Sequence, residues 1–171
     1  MIARRFILFG AGGAALALAG CQTETPHDGT RPILEVMSSV PDISSFRAAI
    51  RRAGLDEALA GAGPFTVFAP SNTAWSAAPA ALRDGNAAAL RSLIALGRMR
   101  TPDLFARRQQ PIRMLSGTEV RVVGGSADAP RLQVAREGQP TGGSASILRG
   151  NMLGANGVLH ILDAIIIPSA A

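Results

Sequence analysis

The residues of this sequence that could perform catalysis are Ser71, His160 and Asp163, which lie beside two short apolar runs. They are the residue types of a hydrolytic triad, which needs the histidine within about 3 Å of the serine hydroxyl and an oxyanion hole. Ser71 stands in Ala-Pro-Ser-Asn and lacks the G-x-S-x-G motif that exposes a nucleophilic serine. We therefore interpret Ser71 as a helix N-cap and His160 as a buried histidine that bonds to backbone or to the turn at residues 71–73. We expect no catalytic residue, and a Ser/His/Asp hydrolase ranks third among the functions considered.

Composition limits the remaining enzymatic and metal chemistries. The chain has 171 residues, of which 47% are hydrophobic and 17% charged, and this is typical of one globular domain. It contains one cysteine, two histidines, and neither tyrosine nor lysine. One chain therefore cannot form an intramolecular disulfide, a four-ligand Cys/His zinc site, a lysine Schiff base or a Walker phosphate loop. We expect no metal and no cofactor.

The N-terminus has the features of an export signal. Arg4 and Arg5 precede a weakly apolar stretch at residues 6–19, which is too short to span a bilayer but suits a signal peptide. Leu18-Ala19-Gly20-Cys21 resembles a bacterial lipobox, which implies cleavage before Cys21 and lipidation of that residue. The twin-arginine and Sec export routes both remain open. A competing dinucleotide-binding interpretation of Gly10–Ala15 (G-x-G-x-x-A) is disfavoured because no 30-residue βαβ unit follows.

The segment after the signal peptide is predicted to be a polar tether. Residues 21–31 contain no large apolar side chain, and from Pro32 the composition becomes that of a packed domain. We assign residues 1–20 to the signal peptide, 21–31 to the lipid-anchored tether, 32–168 to the domain and 169–171 to a tail. After cleavage 15 arginines face 12 acids, and so small an excess argues against nucleic acid as a partner. The expected location is the bacterial cell envelope, facing the periplasm or the surface, and Gln22 favours the outer membrane.

Apolar residues recur at helical spacing through the first half of the domain. Gly54 and Gly97 end helical patterns, and residues 84–86 interrupt one. The predicted helices are one capped by Asp42, one at residues 55–59, one capped by Ser71 that contains Trp75, one that runs through Leu82 and Leu90 to Leu96, and one that begins at Thr101.

The second half of the domain alternates apolar and polar residues, as strands do. Asn156-Gly157 predicts a hairpin turn, and the run after it is apolar on both faces, so this last strand should be central and buried. Helices first and strands later indicate an α+β fold. The predicted strands are residues 65–68, stopped by Pro70, then 118–123, 131–135, 144–148 and 158–167.

Two segments of the chain resemble the signature segments of fasciclin-like domains. The first runs from Gly54-Leu55 to Ala69-Pro70-Ser71-Asn72-Thr73-Ala74-Trp75, and the second is Asn156-Gly157-Val158-Leu159-His160-Ile161-Leu162-Asp163-Ala164-Ile165-Ile166-Ile167-Pro168. The resemblance implies a single α+β domain, a β-sandwich or wedge flanked by N-terminal helices, with the two segments as neighbouring core strands. It also implies a secreted or membrane-anchored adhesion module without cofactor or catalytic site. The structural motif residues are Phe65, Thr66, Val67, Phe68, Ala69, Pro70, Ser71, Asn72, Asn156, Gly157, Val158, His160 and Asp163.

The chain departs from the family pattern between the two signatures. Members often carry a Tyr-His pair there that is associated with partner binding, and Ser92 and Leu93 occupy the corresponding positions. A binding role of that pair therefore does not transfer to this chain.

A cluster of arginines follows the same region. Five arginines face one acid, Asp103, and this net charge of +4 could contact anionic lipid head groups or acidic polysaccharide. The alternative is a solvated helix and loop surface. The possible binding face consists of Arg98, Arg100, Arg107, Arg108 and Arg113.

Two functions of different kinds remain ahead of the hydrolase. The first is a non-catalytic cell-envelope adhesion or binding module, anchored by lipid at Cys21, whose partner is an envelope protein or polysaccharide. The second is a periplasmic carrier of a small apolar ligand.

Overall fold

The N-terminal part of the fold is a layer of short helices. The computed structural model describes residues 29–108, 110–136 and 139–167, so the predicted signal peptide, Cys21, most of the tether and the tail lie outside the described residues. A 3-10 turn, and not a cap by Asp42, begins the second helix. Helix α1 was not predicted, since its run of six residues is too short to show helical spacing. The layer contains α1 (Ile33–Ser38), the 3-10 turn (Pro41–Ile43), α2 (Ser44–Arg52) and α3 (Asp56–Ala60).

Four more short helices follow the first strand. Ser71 caps the first of them, because its Oγ accepts a hydrogen bond from the Ala74 N–H at 3.1 Å, as predicted. Asn86 caps another by accepting from the Ala88 and Ala89 N–H groups, and the predicted break at residues 84–86 is present. These helices are α4 (Asn72–Trp75), α5 (Ala80–Arg83), α6 (Ala87–Arg91) and α7 (Thr101–Ala106).

Seven strands form one sheet in the order β2-β1-β7-β6-β5-β4-β3. Only β1 and β7 run parallel among these neighbours. The two outer strands meet through a bridge between Ala95 and Met114, and the Leu115 N–H donates to the Ile94 carbonyl at 2.7 Å. The sheet is therefore nearly a closed barrel. The strands are β1 (Phe65–Pro70), β2 (Ile94–Leu96), β3 (Ile112–Arg113), β4 (Glu119–Gly125), β5 (Pro130–Arg136), β6 (Gln139–Gly154) and β7 (Gly157–Leu162).

The two signature segments pair as neighbouring strands, as predicted. Strand β1 lies parallel to β7 in a register that runs from Phe65 opposite Gly157 to Pro70 opposite Leu162. Every residue of both strands is buried, so the prediction of a central last strand is confirmed. The α+β single-domain fold with N-terminal helices is likewise confirmed.

Four predicted positions differ from the structure. Ile94–Leu96 is a strand and not the end of a helix, because it pairs with β1 and completes the sheet. The last strand ends at Leu162, where its registers with both neighbours stop, at Pro70 of β1 and at Ile147 of β6. Pro70 ends β1 inside the sheet instead of stopping the strand before it. The hairpin before β7 exists, but its two loop residues are Ala155 and Asn156, and Gly157 already pairs with Gly154.

Helices and strands share one hydrophobic core. Phe46 of α2 and Phe68 of β1 are both fully buried, and they belong to the same cluster as Leu132 and Leu162 of the sheet. The helical layer therefore depends on the barrel for its apolar partners.

Candidate functional site

His160 lies at the centre of the signature strands and is fully buried. Its Nε2 lies 2.8 Å from the Met99 carbonyl oxygen, and the Asn151 N–H lies 3.4 Å from its Nδ1. This pattern assigns the proton to Nε2, which donates to Met99, and leaves Nδ1 as an acceptor. The ring stacks on Phe68 with centroids 5.6 Å apart. Both ring nitrogens thus bond to backbone groups of Met99 and Asn151, and neither bonds to the turn at residues 71–73.

Burial determines the charge of this histidine. Desolvation lowers the pKa of His160 from 6.5 to about 4, although the hydrogen bond to Met99 acts in the opposite direction. The imidazole is therefore neutral at neutral pH, in agreement with an acceptor at Nδ1.

A polar group on β6 extends this network to the surface. Asn151 has a positive φ of 61°, and its Oδ1 accepts from the Thr101 N–H at 2.8 Å. Its Nδ2 donates to Thr101 Oγ1 at 2.9 Å, and Thr101 is fully buried. Gly150 makes room for the arrangement, since a Cβ there would lie 2.8 Å from His160 Nδ1. Sequence reasoning missed Asn151, because its role depends on a distortion of β6 that no local pattern reveals.

The three residues of the hypothetical triad do not form one. The Ser71 Oγ accepts from Ala74, whereas both ring nitrogens of His160 are bonded to other groups. Asp163 Oδ1 accepts from the Ser146 N–H at 2.7 Å and joins the end of β7 to β6. The parallel register explains the separation: His160 lies opposite Phe68, three residues before Ser71. The hydrolase hypothesis has no geometric support at these residues.

Two asparagines of the signature segments bond to the N-terminal helices. Asn156 Oδ1 accepts from the Ile33 N–H at 2.8 Å, and its Nδ2 donates to the carbonyls of Leu59 and Gly61. Asn72 Oδ1 accepts from the Ser45 N–H and thereby caps α2. Both amides bond to groups of the same domain, so these signature side chains stabilise the fold.

Loops define two opposite ends of the barrel. At the entry end the chain joins the fold, because the Arg31 carbonyl accepts from the Ala155 N–H at 2.7 Å. The same end holds the start of β1 at Phe65 and the end of β2 at Leu96, which pair with each other. The distal end lies where β1 and β7 finish at Pro70 and Leu162. Strand β1 has six residues, so the two ends are about 16 Å apart.

A groove of about 410 Å³ opens at the distal end, and we call it the distal groove. Leu148 on its rim is 62% exposed. The rest of the lining is polar and apolar in mixture, and it offers hydrogen-bond donors and acceptors beside an apolar surface. The lining residues are Asp42, Ser71, Asn72, Thr73, Leu148, Arg149, Ile161 and Asp163.

The five predicted arginines do not share one surface feature. Arg98 Nη2 donates to the carbonyls of Gly154 and Ala155 at the entry end. Arg100 pairs with Asp103, and the Arg108 guanidinium lies 5.2 Å from the centroid of the Phe105 ring. Arg107 and Arg113 line a second groove of about 530 Å³ beside Leu96. The five arginines therefore make different kinds of contact and do not form one continuous binding face.

The positions that replace the Tyr-His pair are buried. Ser92 is 3% exposed and its Oγ donates to the Ala89 carbonyl at 2.6 Å, while Leu93 is fully buried. Neither side chain reaches a surface where a partner could bind.

Two further features concern metals and membranes. Among residues 29–108, 110–136 and 139–167, no three His, Cys, Asp or Glu side chains lie close enough together to hold a metal ion. No helix within those same segments combines the length and hydropathy of a membrane span.

Comparisons with known proteins agree with this architecture. The family model described as the fasciclin domain matches residues 41–168. The chain is 31% identical to human Stabilin-1 over 148 residues, which are 84% of this chain but 6% of Stabilin-1. It is 29% identical to protein sll1483 of Synechocystis over 85% of this chain and 78% of that protein. A solved FAS1 domain pair from the insect cell adhesion molecule fasciclin I superposes with a TM-score of 0.63 at 16% identity, over 84% of this chain and 52% of that one.

Proposed function

Since the chain belongs to the fasciclin domain family, we propose that it is a non-catalytic adhesion or binding module of the bacterial cell envelope. The observation that carries the proposal is the internal use of the signature residues. His160, Asn156 and Asn72 bond to backbone groups of the same domain, so the buried strand pair provides a rigid scaffold. We therefore expect surface loops and grooves to bind the partner, since binding residues commonly lie on loops that a rigid scaffold positions.

The distal groove is the surface best suited to such a partner. It combines the apolar rim of Leu148 with carboxylates of Asp42 and Asp163 and the hydroxyls of Ser71 and Thr73. Mixed apolar and hydrogen-bonding surfaces are typical of protein and polysaccharide contacts. The groove lies at the end opposite Arg31, so a tether before Arg31 would hold it away from the membrane.

A photocrosslinking amino acid in the native lipoprotein tests this function. Placed at Leu148 in intact envelopes, it is expected to give a discrete crosslinked protein or polysaccharide that mass spectrometry identifies. Val123 on β4 is the control position, since it is 50% exposed and does not line the distal groove. Equal products from both positions, or none from Leu148, would contradict a specific distal contact.

The second part of the proposal is anchoring by lipid at Cys21, which would hold the domain at the surface of the outer membrane. Support comes from the apolar stretch at residues 6–19 and the Leu-Ala-Gly-Cys sequence that follows it. Cells fed a radiolabelled fatty acid should label the wild-type protein but not a Cys21→Ser variant. Labelling that persists in Cys21→Ser would disprove the anchor.

The carrier hypothesis makes a different prediction. A carrier should retain lipid when the delipidated mature domain is purified under mild conditions. The adhesion module should instead retain an envelope protein or glycan. Tight packing favours adhesion, because core side chains such as Val67 and Leu159 are fully buried.

A further inference from the structure

The seam where the barrel nearly closes carries a groove with an unusual combination of surfaces, which we call the seam groove. It has a volume of about 530 Å³ and lies beside the bridge between Ala95 and Met114. Leu96 on its rim is 64% exposed, the largest exposure among the big apolar side chains of the described residues. Ile112 and Met114 continue the apolar surface inside it.

Two arginines give the seam groove its charge. Arg107 and Arg113 line it, and no acidic residue is found among its described lining residues. The nearest charge partner in contact with them is Glu119, whose Oε1 lies 3.5 Å from Arg113 Nη2, and that arginine remains 78% exposed. Guanidinium groups bind phosphate oxygens in bidentate geometry, and Leu96 adds an apolar contact beside them. This pairing of chemistries matches an anionic amphiphile.

The position of the groove points to a membrane surface. Leu96 pairs with Phe65, whose N–H donates to the Asn156 carbonyl in the hairpin that also binds Arg31. The polypeptide outside the described N-terminus therefore joins the fold at the same end as the seam groove. Arg98 adds a further cation there, bonded to Gly154 and Ala155. A short tether from a lipidated residue would bring this end, and not the distal end, close to the bilayer.

We propose that the seam groove binds the anionic phospholipid surface of the membrane, with Arg107 and Arg113 on lipid phosphates and Leu96 inserted among the head groups. This orientation deepens the proposed function, since it would turn the distal groove outward, but the binding itself requires no lipid at Cys21. Basic residues near an anionic membrane contribute by electrostatic attraction, which salt screens, whereas salt does not screen the apolar contact.

A single-thiol probe tests the insertion of Leu96. Cys21 is the only cysteine, so a full chain with Cys21→Ser and Leu96→Cys carries one thiol for an environment-sensitive dye. The matched control is Cys21→Ser with Leu148→Cys, because Leu148 is 62% exposed but lies at the distal end. We expect a blue shift at position 96 with vesicles of phosphatidylglycerol and phosphatidylcholine, and no shift at position 148. Equal shifts at both positions, or none at 96, would overturn the proposal.

Charge variants test the two arginines in the same Cys21→Ser background. Arg107→Gln with Arg113→Gln should weaken vesicle binding about 30-fold, the loss expected for two arginines near an anionic surface. Arg51→Gln with Arg91→Gln is the control, since it removes the same charge and likewise breaks one exposed ion pair, that of Arg51 with Asp56. Equal losses of vesicle binding in both double variants would show that binding depends only on net charge, and would contradict a site at the seam groove.

The vesicle composition separates the remaining outcomes. Binding to phosphatidylcholine alone as strong as to the anionic mixture would show that the arginines contribute nothing. Binding of a soluble acidic polysaccharide with no response to vesicles would replace the membrane by a glycan as the occupant. Both results contradict the proposal but leave adhesion at the distal groove intact, and a failed crosslink at Leu148 would leave this proposal intact.

Discussion

At the scale of single residues, the buried polar residues Thr66, Ser92, Thr101 and His160 have internal hydrogen-bond partners that fix their protonation or orientation. His160 needs a neutral ring to accept from Asn151 and donate to Met99. Thr66 similarly donates from Oγ1 to the Gly97 carbonyl and accepts from the Met99 N–H. The loop from Gly97 to Met99 is therefore held by two side chains of the signature strands. Stability should respond to any change in either side chain.

The first prediction concerns pH. Burial holds the pKa of His160 at about 4, whereas the unfolded histidine has a pKa of about 6.5, so between these values the unfolded state binds more protons. Stability from this residue is complete above pH 6.5 and declines as the pH falls toward 4. The free energy of unfolding should drop by about 2 kcal/mol between pH 7 and pH 5. Urea denaturation at both pH values measures it.

The control for this pH dependence is His160→Gln. The variant should be less stable at pH 7, because burial and hydrogen bonds are changed, but its free energy of unfolding should vary far less between pH 7 and pH 5. A wild-type protein with the same slope as the variant would show that His160 does not titrate in this range.

The second prediction concerns Asn156. Asn156→Asp keeps the acceptor for Ile33 but places a carboxylate oxygen against the carbonyls of Leu59 and Gly61. We expect a loss of about 2–4 kcal/mol in the free energy of unfolding, measured by chemical denaturation. Asn86→Asp is the matched control, because Asn86 uses only its oxygen as an N-cap and aspartate caps equally well. Similar losses in both variants would argue against the proposed role of the Asn156 amide.

At the scale of elements, the sequence predicted those parts of the fold whose patterns are local. The capped helix after Ser71, the apolar strand β7 and the hairpin before it all follow from short motifs. Strand β2 could not be predicted this way, since Ile94 and Leu96 continue a helical spacing and become extended only through pairing with β1. Tertiary pairing overrides local pattern in such short strands.

Some features of the candidate site could likewise be predicted from local sequence, and others could not. Burial of His160 follows from its place in an apolar run, but its partners Met99 and Asn151 are far apart in sequence and meet only in the fold. Both grooves likewise combine residues from several elements, so spacing along the chain carries no signal for them.

The third prediction concerns the close approach of β1 and β7. A Cβ at Gly157 would lie 2.7 Å from the Phe65 carbonyl oxygen, a backbone atom that cannot move without breaking the parallel pair. Gly157→Ala should therefore lower the free energy of unfolding by about 2 kcal/mol or more, measured by thermal or urea denaturation. At Gly124 the same substitution meets no atom within 4 Å. An unchanged midpoint for Gly157→Ala, or an equal loss for Gly124→Ala, would refute the steric explanation.

At the scale of the whole molecule, the two ends of the barrel differ. The chain enters beside the hairpin at Ala155, and the distal groove opens where β1 and β7 end. Helices α1 and α3 attach at the entry end through Asn156, whereas Asn72 attaches α2 near the distal end. Helices at both ends therefore share one hydrophobic core with the sheet.

That shared core gives the last prediction, which is cooperative unfolding of helices and barrel. Trp75 is the only tryptophan, is 7% exposed and packs edge-on against Phe46 at 5.9 Å, so its fluorescence reports on the helical layer. Methyl NMR signals of Val120 and Val134 report on the far strands. Both probes should show one urea midpoint, and Phe46→Leu should lower both equally, because neither layer can bury its apolar face alone. If Phe46→Leu shifted the Trp75 transition while the valine signals kept their midpoint, the helical layer would unfold separately and the single-core description would be wrong.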